Sequence, residues 1–413
     1  MDNKKTDINL PRLRFPGFDG AWTEKRIKDC LKERNEQYPT SVDYPLMAFI
    51  ADKGVAPKGE RYDRSALVKD VSGKRYKRTE KGDFIYSSNN LETGSIGLNR
   101  YGNACISPVY SIFEPKESVD PAFIGSMLTR KSFISELVNY RQGVVYGQWK
   151  IPEQEFLNLC ISIPSLPEQR KIAGCLAEID EMIQCQDLKV ESLKQHKWGL
   201  IHQLFPQQGN TLPAIRFPGF SSEWVEVTIG DVFNLRNGYT PSKSEESFWS
   251  DGKLAWFRMD DIREKGHILY DSAQHITESA VKGNKLFEAN TIIVATSATI
   301  GEHALIRVKH LANQRFVNLS IKDSYLSKTN IEYAYQFMFI VDEICKSKVN
   351  VGAFASISTE VFSGLPYLMP SLEEQRVITG CLSAIDDVID LEEKKAKSLK
   401  QLKKGLVQNL FPL

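Results

Sequence analysis

Two short stretches carry side chains whose types suit contacts with a nucleic acid. Lys74 to Arg78 is a run of basic residues around a tyrosine, and Asn313-Gln314-Arg315 is a polar run that interrupts an apolar stretch. Cationic side chains suit phosphates, while arginine can pair with guanine, and asparagine or glutamine with adenine, through two hydrogen bonds each. Each stretch also has a plain structural explanation, a solvated charged face for the first and a turn for the second.

The motifs that would indicate catalysis are missing from the sequence. No Pro-Pro pair occurs, so the chain lacks the Asn/Asp-Pro-Pro-aromatic loop that holds an amino group for methylation. Gly73-Lys74 and Gly252-Lys253 are followed by Arg and Leu, which excludes a Walker A lysine. No Pro-Asp pair starts a nuclease motif, and no His-x-x-x-His spacing supports a metal site. We therefore assign no catalytic residue, metal ligand or cofactor to this chain.

The composition is that of an ordinary globular protein. The 413 residues have a formal net charge of +1 and are 42% hydrophobic, so any affinity for nucleic acid has to come from local patches. No apolar run approaches the roughly 18 residues that span a bilayer, and residues 1–5 lack the apolar core of a signal peptide. The seven cysteines are scattered and never in Cys-x-x-Cys spacing. Reduced thiols in a cytoplasm are the expectation, without disulfides, a zinc site or a membrane.

Two kinds of segment occur twice and divide the chain. Ser165 to Pro206 returns as Ser371 to Pro412, and the Arg-Phe-Pro-Gly-Phe segment that begins at Arg14 returns at Arg216. The length favours two or more domains, and the repeats give the order variable region, helix, variable region, helix. The predicted fold class is α+β, with two mixed α/β domains and a long antiparallel two-helix coiled coil. The domains are predicted at 1–163 and 207–369, and the spacer helices at 164–206 and 370–413.

Each copy of the longer repeat is predicted to be one long helix. Ser165 with Glu168, and Ser371 with Glu374, fit a capping box, in which a hydroxyl and a carboxylate bond backbone N–H groups at the helix start. Apolar residues then recur at steps of four and three, and this period of about 3.5 residues is typical of a coiled-coil seam. Two surface helices of separate domains are the alternative.

Polar residues at the same two steps of both seams suggest how the helices pair. In an antiparallel pair, setting Lys197 opposite Glu392 also sets Gln186 opposite Lys403, and from Ile179 onward apolar seam residues face apolar ones. A buried polar residue that meets a polar partner is a known way to fix register. We therefore predict an antiparallel intramolecular pair in this register, with the two variable regions related by a pseudo-twofold axis.

The order of these segments resembles the specificity subunit of type I restriction-modification enzymes. The resemblance covers essentially the whole chain and rests mainly on the doubled Ser-Leu-x-Glu-Gln-Arg helix starts and the two Leu-Phe-Pro helix ends. In the second variable region, Thr240-Pro241-Ser242, Ser297 to Gly301 and Asn313-Gln314 match stretches common in the recognition domains of that family. The first variable region has no Asn-Gln element, so the two regions are expected to read unrelated sequences.

The resemblance implies a non-catalytic subunit that gives a larger complex its DNA specificity. Each variable region would be a target recognition domain that reads one half of a bipartite, asymmetric site in double-stranded DNA. The paired helices would fix the gap between the halves and dock two modification subunits, which bring S-adenosylmethionine and the adenine-N6 methyltransferase site. Restriction subunits would add translocation and cleavage, with ATP and magnesium.

The candidate DNA contacts combine the two polar stretches with other aromatic, amide, hydroxyl and basic residues of the variable regions. In the first region they are Lys74, Arg75, Lys77, Arg78, Tyr146, Gln148 and Lys150. In the second region they are Tyr239, Thr240, Ser242, Arg258, Ser297, Thr299, Asn313, Gln314 and Arg315.

Two other classes of function stay open at this stage. One is an interaction scaffold, in which the coiled coil is the function and the variable regions bind proteins. The other is an enzyme with an unrecognised site. Preference for one bipartite duplex over scrambled DNA at fixed salt would argue against the scaffold, because non-specific affinity depends steeply on salt. Methylation or cleavage by the purified chain alone would support the enzyme.

Overall fold

The chain forms two compact units. The computed structural model describes residues 10–51, 53–57, 74–89, 91–145, 148–207, 209–348 and 356–412, and for 143–149 and 348 it describes no side chains. Unit 1 comprises Met1–Asp187 with Lys394–Leu413, and unit 2 comprises Leu188–Glu393. Each unit therefore contains one variable region and about half of each long helix.

The elements of unit 1 are short, apart from the long helix that leaves it. Its strands are β1 (Thr23–Arg26), β2 (Leu31–Glu33), β3 (Gln37–Tyr38), β4 (Ala48–Ile50), β5 (Gly54–Ala56), β6 (Tyr76–Thr79), β7 (Phe84–Tyr86), β8 (Ile96–Leu98), β9 (Ala104–Ile106), β10 (Ser111–Pro115), β11 (Gln142–Val145), β12 (Gln148–Lys150) and β13 (Cys160–Ile163). Its helices are α1 (Ile27–Cys30), α2 (Pro121–Leu128), α3 (Lys131–Val138), α4 (Glu153–Asn158) and the beginning of α5 (Leu166–Leu204).

Unit 2 has the end of α5 and a second series of short elements. Its strands are β14 (Val225–Thr228), β15 (Phe233–Asn237), β16 (Leu254–Phe257), β17 (Ile268–Leu269), β18 (Gln274–Ile276), β19 (Thr291–Ala295), β20 (His303–Ile306), β21 (His310–Ala312), β22 (Phe316–Ile321) and β23 (Pro366–Met369). Its helices are α6 (Ile229–Val232), α7 (Met259–Lys265), α8 (Ile331–Lys348), α9 (Thr359–Ser363) and the beginning of α10 (Leu372–Leu410).

Both units follow one plan although their interiors differ in sequence. In each, the first strand pairs antiparallel with the last, β1 with β13 and β14 with β23. The main sheets have the orders β2-β10-β7-β8 and β15-β22-β19-β20-β17, so four strands correspond in sequence order and position. Smaller sheets have the orders β3-β6-β9 and β18-β16-β21. These mixed sheets, together with two helices of 39 residues, confirm the predicted α+β fold class.

Aromatic and branched side chains fill the two cores. In unit 1 the Phe156 ring lies 4.7 Å from that of Phe113 and 5.0 Å from that of Tyr86. In unit 2 all five residues of β19 are buried, because α8 covers one face of the strand and the smaller sheet with α7 covers the other. A strand buried on both faces reads as a continuous apolar run rather than as an alternation.

The starts of the two long helices differ from the predicted capping box. Ser371 Oγ does accept a hydrogen bond from the Glu374 N–H, at 3.2 Å. The Glu374 carboxylate, however, accepts two hydrogen bonds from Arg216, at 2.8 and 2.7 Å, and Glu168 accepts two from Arg14, both at 2.8 Å. The carboxylates hold a distant arginine because this fork of hydrogen bonds is stronger than a single bond to a backbone N–H. The two repeated motifs therefore contact each other within each unit.

The long helices pair antiparallel within each unit. In unit 1, Ile172 and Leu176 near the start of α5 share a buried core with Leu410 at the end of α10. In unit 2, Leu204 at the end of α5 shares a core with Ile378 and Leu382 near the start of α10. The predicted direction of pairing is therefore confirmed in both units.

The predicted register of this pair is wrong. Lys197 bonds Asp386, with Nζ 2.7 Å from one carboxylate oxygen, while Glu392 accepts from Lys189. Lys403 bonds Asp180, at the repeat-equivalent position in unit 1. The predicted register sets polar seam residues opposite each other, whereas these lysines reach aspartates that lie beside the seam. Burial lowers the pKa of Lys197, and the Asp386 carboxylate opposes that shift.

Gln186 and Lys197 are both buried, as expected for seam residues, with relative exposures of 6% and 8%. Lys197 also lies 4.8 Å from the centre of the Phe339 ring, and Gln336 of α8 donates to Asp386 at 3.0 Å. The polar layer of unit 2 therefore joins the helix pair to α8 as well as joining the two long helices.

We expect Glu374→Ala to lower the free energy of unfolding by about 3 kcal/mol, because it removes one partner of an ion pair largely withdrawn from water. Urea unfolding of the full chain would measure the change. The matched control is Glu393→Ala, which breaks a pair with Lys194 whose side chains are 46% and 51% exposed. That change should stay below about 1 kcal/mol, and equal losses for both variants would contradict the role given to Glu374.

We expect Asp386→Ala to destabilise the chain by about 2 kcal/mol and Glu392→Ala by less than about 1 kcal/mol. The difference arises because Asp386 neutralises the buried Lys197, whereas Lys189 is 54% exposed. Thermal unfolding of both variants in one buffer would rank them. The reverse ranking would support the register predicted from the sequence.

Candidate nucleic-acid interface

Loops from four strands meet at one edge of unit 2. The loop after β15 contacts the end of β21, where Tyr239 N donates to Ala312 O at 2.8 Å. The end of β16 lies beside the turn between β21 and β22, since Asn313 N donates to Phe257 O at 3.0 Å. The loop between β19 and β20 joins the same turn, because Thr296 N donates to Arg315 O at 3.0 Å. Strand order therefore places together residues that are far apart in sequence.

The turn at residues 313–315 presents two polar side chains at this edge. Asn313 Oδ1 accepts a hydrogen bond from the Arg315 N–H at 2.9 Å, which fixes the turn. Gln314 and Arg315 are exposed. Thr240 donates to Gln314 Oε1 at 2.5 Å and so orients the glutamine amide. An oriented amide beside an exposed guanidinium is suited to base edges and phosphates.

Arg258 and the loop between β19 and β20 lie at the same edge. Arg258 is half-buried, with its guanidinium 5.9 Å from the centre of the Trp256 ring and 3.5 Å from the Asp260 carboxylate. Ser297 forms an isolated bridge with Ser356, and the Thr299 N–H donates to Ser297 O at 2.8 Å. These contacts fix the backbone of the loop, which carries the hydroxyl groups of Ser297 and Thr299.

Two of the candidates in unit 2 have bonds that give them a structural role. The Tyr239 hydroxyl donates to Ala280 O and accepts from the Lys282 N–H at 2.9 Å, so it is used within the fold. Ser242 is exposed, and its carbonyl accepts a hydrogen bond from Trp249 Nε1 at 2.9 Å. Both residues shape the loop after β15, where Thr240 lies.

Three lysines near this edge were missed by reasoning from the sequence. Lys243 and Lys282 are exposed, and Lys285 donates to Asn237 O at 2.7 Å. They lie in two different loops, so the sequence shows no basic run to mark them. Only the fold of the loops brings these charges near Tyr239.

The basic cluster of unit 1 separates into exposed and buried members. Lys74 and Arg75 are exposed. Lys77 is 5% exposed and donates to Tyr110 O at 3.0 Å, and burial lowers its pKa. Arg78 packs between two tyrosines, 4.1 Å from the ring centre of Tyr38 and 4.4 Å from that of Tyr44. The alternation follows from β6, since successive strand residues point to opposite faces. Lys77 is therefore structural rather than a phosphate contact.

The remaining candidates of unit 1 belong to the β11–β12 hairpin. Lys150 at its end is exposed, and Tyr146 lies outside the described residues, as does the side chain of Gln148. Arg141 Nε donates to Ser88 O at 2.9 Å, so the hairpin lies beside the loop that follows β7. The corresponding loop of unit 2 is the one between β19 and β20. In both units, candidate residues therefore lie at or near the same loop of the main sheet, which follows β7 in unit 1 and β19 in unit 2.

Comparison with known proteins gives the fold and shows which proteins this chain is similar to. A family model described as type I restriction modification DNA specificity domain matches residues 221–401. The solved S subunit of a type I restriction-modification system from M. genitalium superposes with a TM-score of 0.57 over 98% of this chain and 99% of that one, at 17% identity. A second structure, from work on assembly and conformational transition of the type I R-M system, gives a TM-score of 0.59 at 16% identity, over 95% of this chain and 98% of that one.

The chain is similar to type I restriction-modification specificity subunits. The specificity subunit of EcoprrI from Escherichia coli is 49% identical over 152 residues, which are 37% of this chain and 37% of that protein. The MjaIX specificity subunit of Methanocaldococcus jannaschii is matched over 44% of its length, at 28% identity and over 46% of this chain. The chain thus spans less than half the length of these two relatives. The putative MjaX specificity subunit from the same organism is 23% identical over 98% of this chain and 96% of that protein.

Two other kinds of feature are missing from the described part of the chain. Within the ranges that the structure describes, no helix combines the length and apolarity needed to cross a membrane. Over those same ranges, no three His, Cys, Asp or Glu side chains come together as metal ligands would.

We expect Lys77→Ala to lower the free energy of unfolding by about 2 kcal/mol, because it removes a buried stem and a hydrogen bond to a backbone carbonyl. Lys74→Ala removes an exposed lysine of the same basic cluster and should change the free energy of unfolding by less than about 0.5 kcal/mol. Thermal unfolding of the two variants side by side would measure this. Loss of nucleic-acid affinity at unchanged stability in Lys77→Ala would contradict the structural role.

Proposed function

We propose that this chain is the DNA-specificity subunit of a type I restriction-modification complex. Each variable region reads one half of a bipartite, asymmetric site in double-stranded DNA, and the paired long helices set the gap between the halves. The observation that carries the proposal is the convergence of Thr240, Arg258, Ser297 and the turn at 313–315 at one edge of unit 2. Amide, hydroxyl and guanidinium groups fixed by a rigid frame are what direct readout of base edges requires.

The chain acts without chemistry of its own in this proposal. Two modification subunits dock on the helices and supply the methyltransferase site with S-adenosylmethionine. Restriction subunits supply ATP- and magnesium-dependent translocation and cleavage. Similarity to the structure that comes from work on assembly of the type I R-M system supports partnership of this kind. The exposed apolar residues of the helices in unit 2, Leu188 and Leu391 among them, are compatible with a covering partner.

Mapping of N6-methyladenine in a host that lacks other adenine methylation tests the proposal. The full chain is co-expressed with its modification subunits, and the expected result is one bipartite motif with two unlike halves. Omitting the chain should abolish the motif. Methylation that is unchanged without the chain, or that shows no bipartite motif with it, would favour the interaction scaffold. Methylation by the purified chain alone would favour an enzyme.

We expect Gln314→Ala to relax discrimination in one half of the motif and to leave the other half unchanged. Loss of a paired hydrogen bond to a base should reduce discrimination at one position by roughly tenfold to hundredfold. Methylation frequencies at sites with single base changes would measure it. Gln401→Ala, an exposed glutamine on α10, is the matched control and should leave both halves unchanged. Relaxation of both halves by Gln314→Ala would contradict the assignment.

We expect Arg315→Ala in the same complex to weaken binding to specific and non-specific duplexes alike if the guanidinium contacts a phosphate. The slope of log affinity against log salt should then fall by about 1, because one fewer counterion is released. Titration at several salt concentrations would measure the slope. A loss confined to the specific duplex at an unchanged slope would instead make Arg315 a base contact.

A further inference from the structure

The loop between β19 and β20, residues 296–302, is held in a conformation that ordinary residues rarely adopt. Ala298 has φ of +65° and Gly301 has φ of +86°. Hydrogen bonds close the loop at its base, where Gly301 N donates to Ala295 O at 2.9 Å and Ala295 N donates to Glu302 O at 2.7 Å. Left-handed backbone in a residue other than glycine is uncommon and persists where the surroundings determine it. The structure around the loop that carries Ser297 and Thr299 therefore holds it in this conformation.

Helix α8 supplies one of these constraints at Gly301. A Cβ added to Gly301 would overlap the Asp342 carboxylate and lie 2.9 Å from Asp342 Cα. The side chain of Asp342 could rotate away, but its Cα belongs to the helix backbone and cannot move independently. The loop thus passes so close to α8 that only glycine fits, which is a reason for glycine apart from its φ.

His303 supplies a second constraint from the strand that follows. It is 2% exposed, and its Nδ1 lies 2.9 Å from Gly301 O. Its ring packs on α8, with centroids 4.5 Å from Phe339 and 5.5 Å from Tyr335. Burial lowers the pKa of His303 to about 3, so the imidazole is neutral at pH 7 and donates its Nδ1 proton to the Gly301 carbonyl. The histidine therefore holds the end of the loop against the helix.

Helix α8 is itself fixed to the long helices of unit 2. The Asn330 N–H at its start donates to Gln375 Oε1 at 2.8 Å, and Gln336 donates to Asp386 at 3.0 Å. Asp386 is the carboxylate that pairs with the buried Lys197. A continuous series of contacts therefore runs from the helix pair through α8 to Gly301. The loop is positioned relative to the frame rather than only by its own sequence.

We propose that Gly301 and His303 are positioning residues for DNA recognition by unit 2. In this role they touch no base, and they hold the backbone of residues 296–302 against α8 so that Ser297 and Thr299 face one half-site. The inference rests on the proposed function and extends it, because it assigns a specificity-determining role to residues behind the interface. Displacing the loop should relax sequence discrimination while leaving the phosphate contacts of the rest of the unit in place.

Gly301→Ala tests the contact, and Gly266→Ala is its matched control. Gly266 has φ of +90°, close to that of Gly301, but a Cβ there meets nothing within 4 Å. The two variants therefore share a positive φ and differ in the overlap with α8. The full chain is co-expressed with its modification subunits, and the methylated motif is mapped for each. Discrimination in the half-site that Gln314→Ala alters should fall about tenfold in Gly301→Ala, with the other half-site unchanged. Gly266→Ala should leave both halves unchanged.

Two more variants test the same contacts between the loop, His303 and α8. His303→Phe retains an aromatic ring but removes the bond to Gly301 O, and it should relax the same half-site to a smaller degree. Gly301→Ala combined with Asp342→Ala removes the overlapping carboxylate and should restore part of the lost discrimination. If Gly301→Ala abolishes all methylation because the chain does not fold, His303→Phe decides the question.

The opposite results are equally clear. An unchanged motif in Gly301→Ala, equal relaxation of both half-sites, or the same relaxation in Gly266→Ala would overturn the proposal. If Gly301→Ala does not fold, an unchanged motif in His303→Phe would overturn it. Absence of any bipartite motif with the unaltered chain would instead overturn the proposed function, so the two failures are distinguishable.

Discussion

The rest of the structure depends on one interaction, the ion pair between the Arg-Phe-Pro-Gly-Phe segment and the start of each long helix. Glu168 and Glu374 are 2% and 1% exposed, and each accepts two hydrogen bonds from an arginine, Arg14 or Arg216. A carboxylate so far from water needs a cationic partner with good geometry. The segment that leads into each variable region is thereby attached to the helix that leaves it.

The next residue of the repeated motif extends this attachment. Gln169 accepts a hydrogen bond from the Asp120 N–H at the start of α2 and donates to Pro164 O, both at 2.9 Å. Gln375 makes the equivalent bonds to the Asn330 N–H at the start of α8 and to Pro370 O, at 2.8 and 3.0 Å. The repeated Glu-Gln pair therefore holds the helix start, the segment that leads into the unit and one helix of the variable region. This explains why motifs of such polar composition recur, because their polar side chains make contacts within the fold.

The repeated contacts fix the starts of the long helices, and the residues in the interiors of the two units can therefore differ from each other. The two main sheets share four strands in the same order, yet the loops at their edges carry different residues. Unit 2 presents Gln314 and Arg315 on a turn fixed by Asn313, while the corresponding turn of unit 1, between β9 and β10, is Ser-Pro-Val-Tyr. A common scaffold with unlike loop residues is the arrangement expected of a protein that recognises two unlike targets.

The sequence by itself determined the repeat, the two long helices and the absence of recognisable catalytic motifs, because these follow from local order and from a period of side chains. It also singled out the residues at 313–315, since a polar run inside an apolar stretch is visible without a structure. The antiparallel direction was predicted correctly, but from a polar register that the structure contradicts. Tertiary structure alone decided the register, because Lys197 and Lys403 pair with Asp386 and Asp180, which lie beside the seam and which the seam pattern does not mark. It decided that Lys77 is buried, through the alternation of a short strand, and that Glu168 binds Arg14. It also decided which loops meet, because strand order brings Thr240, Arg258 and Arg315 to one edge while their separation in the chain gives no sign of it.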